Sequence, residues 1–205
     1  MTMRILLFAI LMSLTSSINM NGSENNLQGG VSPNNKYAIR TSFDDELGFM
    51  YVLVSIDTEK VLVRVQSSYQ SAKGEGNEWA ENMNNSAQVY WRDDSGAAAI
   101  DEENHRYIGH VFLISFAQDG KALAVGIGEQ KILSVTGEKW NKVRIRVHEG
   151  WGADGRLSLE VAGEAAKDKA EVESKVLLFK TYSLVLAIEP SAILKSLVET
   201  KPAGN

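Results

Sequence analysis

The chain has no cysteine among its 205 residues, and this excludes a disulfide framework, a thiolate metal site and a cysteine nucleophile. Histidine is almost as scarce. His105, His110 and His148 are the only three, without the paired spacing that a histidine-rich zinc site needs. No later run of apolar residues matches a membrane-spanning helix of about 20 residues. Positive charge is also in deficit, since 21 Lys and Arg face 26 Asp and Glu for a formal net charge of -5. A mildly acidic chain without a long basic run gains no counterion-release drive toward DNA or RNA, so no nucleic acid is expected as a partner. The sequence also lacks the G-x-S-x-G elbow, the G-x-x-x-x-G-K-[ST] phosphate loop and the G-x-G-x-x-G fingerprint. Gly126-Ile127-Gly128 is the nearest glycine pair and reads as a turn.

The amino terminus carries the clearest positive signal. Arg4 precedes the apolar stretch ILLFAILMSL at 5–14, and Thr15, Ser16 and Ser17 follow it. A charged start, an apolar core of about ten residues and small residues beyond are the parts of a cleaved secretory signal. The expected layout is a signal peptide at 1–20, a flexible leader at 21–30, one β domain at 31–200 and a short tail at 201–205. Removal of Arg4 leaves the mature chain at -6. The signal and the lack of a lipoprotein cysteine point to a periplasmic or secreted protein with no integral membrane segment once mature. A cysteine-free exported chain further suggests a bacterial source. About 180 mature residues suffice for one hydrophobic core without covalent staples.

The body alternates apolar and polar residues with period two, the mark of half-buried strands. Strands are expected at 37–41, 49–56, 61–67, 88–91, 97–101, 107–115 and 122–127. Asp, Asn and Gly stand between them, because Gly accepts positive φ and Asp or Asn bonds its own backbone. The segment 71–86 breaks the pattern, with two glycines and four asparagines around Trp79, and reads as a long loop. Farther on, Val143, Ile145 and Val147 alternate with Arg144, Arg146 and His148, and the pattern resumes through Leu157, Leu159 and Val161. A hairpin is expected there, with Ile145 opposite Leu159 and Arg144 opposite Glu160. The stretch 172–188 has strand character and raises the prospect of an exposed edge. After Pro190, Ile193, Leu194, Leu197 and Val198 recur at helical spacing, predicting a short carboxyl-terminal helix with Ser191 as its N-cap.

One turn pattern returns along the chain. VSPNNKYAIR from 31, YWRDDSGAAAI from 90, FAQDGKALAV from 116 and WGADGRLSLEV from 151 each run from an apolar or aromatic residue through an Asx turn into a strand. This resembles the repeat of TolB-type, WD40-like β-propeller proteins, in which a Ser-Pro-Asp-Gly-Lys turn joins two strands of a blade. The resemblance covers mainly 31–116. Only the first copy keeps Ser-Pro, Asn35 stands where the motif has Gly, and the starts are unevenly spaced. The expected fold is therefore all-β, mainly an antiparallel meander, arranged as propeller-like blades or as a β-sandwich.

Few residues point to chemistry. The acidic runs at 44–46, 93–94 and 101–103 lack the alternate ligand spacing of a calcium loop and read as solvated turns. No cofactor, metal or catalytic residue is assigned. Trp91 and Trp151 fall at the repeat position and read as core anchors, whereas Trp79 lies in a polar loop and suits a binding role. With Arg92, His105 and Arg106 it makes the candidate ligand-binding set. The leading expectation is a non-enzymatic protein-interaction module of the bacterial cell envelope, with another envelope protein as partner. A glycan or small-ligand binder, possibly a hydrolase, is the alternative.

Overall fold

A computed structural model describes residues 26–44, 48–67, 87–104, 108–117, 119–137, 139–166, 178–189 and 192–199. Among these residues twelve strands and one short helix follow in order: β1 (Asn26–Val31), β2 (Tyr37–Asp44), β3 (Gly48–Ser55), β4 (Val61–Gln66), β5 (Ala87–Trp91), β6 (Ala97–Asn104), β7 (Ile108–Phe116), β8 (Ala122–Ile127), α1 (Glu129–Thr136), β9 (Lys139–Trp151), β10 (Arg156–Ala166), β11 (Leu178–Glu189) and β12 (Ala192–Glu199). The protein is all-β in class. Each expected strand through residue 127 is present within a few residues.

The strands form three four-stranded antiparallel meanders, β1 to β4, β5 to β8 and β9 to β12. Parallel contacts between β1 and β5 and between β7 and β9 join them into one strand order. The first eight strands run β8-β7-β6-β5-β1-β2-β3-β4, and the end strands β4 and β8 lie against each other. This makes a nearly closed, barrel-like mixed sheet, to which the β9–β10 hairpin and its continuation are added. Separate blades are not seen among the described residues.

Why β3 and β7 read as continuous apolar runs follows from this layout. Phe49, Tyr51 and Leu53 of β3 face the barrel interior with Val89, Ile100, Phe112 and Ile114, while Val52 and Val54 pack with Ala38 on the other face. In β7 the same division holds. Phe112 and Ile114 point into the barrel, and Val111 and Leu113 pack outward against Ile145, Val147, Leu157, Leu159 and Val161 of the hairpin. Strands buried on both faces lose the polar alternation of a one-sided sheet. Each fully buried Leu or Ile contributes about 1.5–3 kcal/mol of transfer free energy, so the outer core, shared by β7 and the hairpin, holds the hairpin to the barrel.

Four expectations are corrected. The leader at 21–30 contains β1 from Asn26, which sits between β2 and β5 in the middle of the strand order. Its polar side chains hid it, since its role is carried by backbone pairing. The carboxyl-terminal helix is instead the strand β12, paired with β11 from Ala192 to Glu199. Tertiary pairing has overridden a helical spacing only eight residues long. The hairpin register is displaced by two: Leu159 lies opposite Val147 and Glu160 opposite Arg146, because the strands run on to Trp151 and Arg156 around a shorter turn, and a bulge at His148 and Glu149 reduces the offset from four at Leu157 to two. An even displacement keeps every side chain on its predicted face. Finally, β11 is paired on both sides, by β10 and β12, so the stretch near 172–188 offers no free edge where it is described.

The helix α1 was not foreseen. It buries Ile132 in the outer core and ends at Gly137, whose left-handed conformation (φ 69°) lets its N–H donate to the Leu133 carbonyl at 2.9 Å.

Candidate functional site

Three hairpin turns, each opening a meander, have the same construction at intervals of sixty residues. In the first, the Asn35 N–H donates to the Ser32 carbonyl at 2.9 Å and Lys36 N–H to Asn34 Oδ1 at 3.0 Å. In the second, Ser95 donates to the Arg92 carbonyl at 2.8 Å and Gly96 to Asp94 Oδ1 at 2.8 Å. The third repeats this with Gly155 to Gly152 at 2.9 Å and Arg156 to Asp154 Oδ1 at 3.1 Å. The left-handed residues are Asn35, Ser95 and Gly155, with φ of 56°, 59° and 75°. An Asx side chain that caps its own turn permits this conformation even where glycine is absent. The segment at 116–125 has the same turn chemistry at Asp119 but joins β7 to β8. It is therefore an internal turn of the second meander, which accounts for the uneven spacing in the sequence.

These three turns stand side by side and are tied together. Asn34 N–H donates to Ser95 Oγ at 3.2 Å, linking the first to the second. The Trp91 indole donates to the Gly30 carbonyl at 3.1 Å, and the Trp151 indole to the Tyr90 carbonyl at 2.8 Å. Trp91 packs on the barrel core, where Tyr37 lies between it and Phe116, with centroid distances of 6.5 and 4.5 Å. Trp151 packs on the outer core. Both tryptophans thus anchor one turn to the one before it.

Arg92 is the sequence-predicted site residue that the structure describes; Trp79, His105 and Arg106 lie outside the described residues. Its guanidinium reaches from the second turn to the third. Nε donates to Asp94 Oδ1 at 2.8 Å, and the guanidinium carbon sits 5.8 Å from the centre of the Trp151 ring. A Cβ at residue 96 would stand 2.7 Å from one terminal nitrogen, so glycine there makes room for the guanidinium. The hydrogen bond from Arg92 holds the Asp94 carboxyl below its ordinary pKa, with partial burial opposing it and the Gly96 N–H assisting. One end of the fold therefore carries a fixed ridge of polar turns, with a charged group stacked on an aromatic face.

A second polar cluster, inside the barrel, went unrecognised in the sequence. Glu102 was expected in a solvated acidic turn, yet it lies on β6 with its side chain facing inward, fully buried. Tyr51 Oη donates to its Oε1 at 2.8 Å, and Ser67 Oγ donates to the same oxygen. These bonds join the first meander to the second. His110 lies across from Glu102 on β7, its ring stacked 6.4 Å from Phe112. The neighbouring Asp101 points the other way and accepts the Val147 N–H at 2.9 Å, clasping the hairpin to the barrel. Burial deepens the neutral state of Tyr90, raising its pKa, and the Asp101 charge adds to this. The available signal was alternation, since Ala98, Ile100 and Glu102 share one face of β6.

Among the described residues, no three His, Asp or Glu side chains gather so as to hold a metal ion, and no helix is long and apolar enough to cross a membrane. No family model, curated protein or solved structure matches the chain. The fold and the ridge together define an all-β protein with a barrel-like sheet and a preorganised polar surface at one end.

Proposed function

We propose that the chain is an exported bacterial β-domain protein that acts as a non-enzymatic protein-interaction module of the cell envelope. The observation that carries this reading is Arg92, held by Asp94 and stacked on Trp151 across two adjacent turns. A partner that docks on side chains already ordered loses less conformational entropy on binding. Asn34, Asp94 and Asp154 leave the exposed ridge studded with acceptors beside the cations Lys36, Arg92 and Arg156, which suits a polar protein surface better than an apolar ligand. Export rests on the signal peptide read at 1–20, and the periplasm or the exterior is the corresponding destination.

The turn chemistry also supports the resemblance to TolB-type repeats, with each four-stranded meander read as a blade-like unit. The second functional reading is glycan or small-ligand binding through Trp79, Arg92, His105 and Arg106. The stack of Arg92 on Trp151 favours it, because an aromatic face beside a guanidinium also suits a sugar or an anion.

Affinity capture tests the choice. The chain from about Asn21, tagged at its carboxyl end, is incubated with a detergent extract of the source cell envelope. One stoichiometric partner, lost with the folded Arg92→Ala variant, supports the module reading. Absence of such a partner, together with a tryptophan fluorescence change on adding envelope polysaccharides, replaces it with ligand binding.

A further inference from the structure

We infer that Arg92 takes a carboxylate of its ligand on the two terminal nitrogens of the guanidinium. This rests on the interaction-module reading and names the group that is recognised.

The three turns of the ridge differ where Arg92 stands. Ser32, Arg92 and Gly152 occupy the same place in successive turns, and so do Lys36, Gly96 and Arg156. Each turn is closed by backbone bonds and by an Asx side chain. A serine or a glycine therefore suffices at the first place, and no arginine is needed to build the turn. Arginine there constrains the other place, since a Cβ at residue 96 would stand 2.7 Å from Nη2, and only the second turn has glycine at that point. The two departures belong together. Both seat a guanidinium.

The seated group has donors left over. Its Nε–H donates to Asp94 Oδ1 at 2.8 Å, and its central carbon lies over the Trp151 ring, 5.8 Å from the centre. Among the described residues, the N–H groups of Nη1 and Nη2 have no hydrogen-bond partner. The side chain is only 23% exposed, so the cation is largely withdrawn from water while part of its planar fork is unmatched. Such a group gains from an acceptor that fits the fork.

Charge narrows the class of acceptor. Lys36, Arg92 and Arg156 are matched along the ridge by Asp93, Asp94 and Asp154, which leaves no surplus positive charge to hold a dianion such as a phosphate. A carboxylate carries a single charge, and its two oxygens pair with two guanidinium nitrogens in one plane. An aspartate or glutamate of a protein supplies this group, and so does a uronic acid of an acidic polysaccharide.

NMR titration of the full chain tests this, read at the Arg92 Nε–H and the Trp151 indole N–H. The probes are a blocked tripeptide with aspartate at its centre, its asparagine counterpart, glucuronate and the methyl ester of glucuronate. Saturable shifts are expected from the carboxylates at millimolar concentration and none from the neutral counterparts. Arg92→Lys keeps the charge without the fork, and is expected to weaken the response of the Trp151 signal about tenfold. An arginine that only ties two turns together gives no saturable shift with any probe, and that result overturns the inference. Equal shifts from charged and neutral probes, or unchanged affinity in Arg92→Lys, also overturn it. A tighter response to the aspartate peptide assigns the carboxylate to a protein, whereas a tighter response to glucuronate keeps the fork and assigns it to a polysaccharide. If an envelope partner is captured but the carboxylates leave both signals unmoved, the module reading stands and the carboxylate is wrong. If the carboxylates bind and nothing is captured, the fork stands and the envelope-partner reading falls.

Discussion

The indole N–H of Trp151 donates to the backbone carbonyl of Tyr90 at 2.8 Å, so a side chain of the third meander is bonded to the main chain of the second. Trp91 makes the equivalent bond to Gly30 at 3.1 Å, one meander earlier. Replacing either by phenylalanine keeps most of the apolar contact and removes the donor. Each change is expected to cost about 0.5–1.5 kcal/mol. Urea denaturation reads it as a lower midpoint with the slope unchanged, and an unaltered midpoint would remove these tryptophans as anchors.

Glu102 gives a larger effect. Glu102→Ala takes from Tyr51 and Ser67 an acceptor at a fully buried position and leaves a void beside the Tyr51 hydroxyl. The expected loss is about 2–5 kcal/mol, because breaking a buried polar cluster exposes its partners' desolvation cost. Glu102→Gln keeps an acceptor oxygen and should lose less. Equal stability of the two variants in thermal unfolding would contradict the assigned role.

At the junction of β1 and β5, Gly29 has φ 72°, and an added Cβ would press on the Val89 carbonyl. Neither the left-handed backbone nor the contact suits alanine. Gly29→Ala is expected to destabilise by more than about 2 kcal/mol, with faster amide exchange across β1 and β5. Native-like exchange in this variant would show that the junction does not limit stability.

The Asp94 carboxyl provides a pH test. Its folded pKa is depressed, chiefly by the bond from Arg92, so its contribution is present above the unfolded value and is lost as pH falls through the folded one. Because the Asp94 side chain is 62% exposed, the effect on global stability is small. Carboxyl NMR titration reads it directly. Arg92→Ala should move the Asp94 midpoint up toward the ordinary carboxylate range and change the Trp151 fluorescence, and an unmoved midpoint would refute the pairing.

How far the site could be read in advance depended on whether the signal was local. The turn at Asp94 and the placement of Arg92 beside it were legible, since Asx chemistry lies within a few residues. Glu102 was not, because its partners Tyr51 and Ser67 are 51 and 35 residues away. Likewise the two-residue displacement opposite Leu159 came from a shorter turn, partly offset by a bulge at His148 and Glu149, and alternation cannot reveal either, as an even displacement preserves the pattern.

From composition and period alone came the all-β class, most strand positions and the repeated Asx turn, because these are short-range consequences of backbone sterics and apolar alternation. Only the assembled chain decided that β1 is a central strand, that 192–199 pairs as a strand, and that β4 and β8 meet without a ladder. Strand pairing joins residues far apart in sequence. Its outcome is set by which edges and faces bury one another, and no single segment encodes that choice.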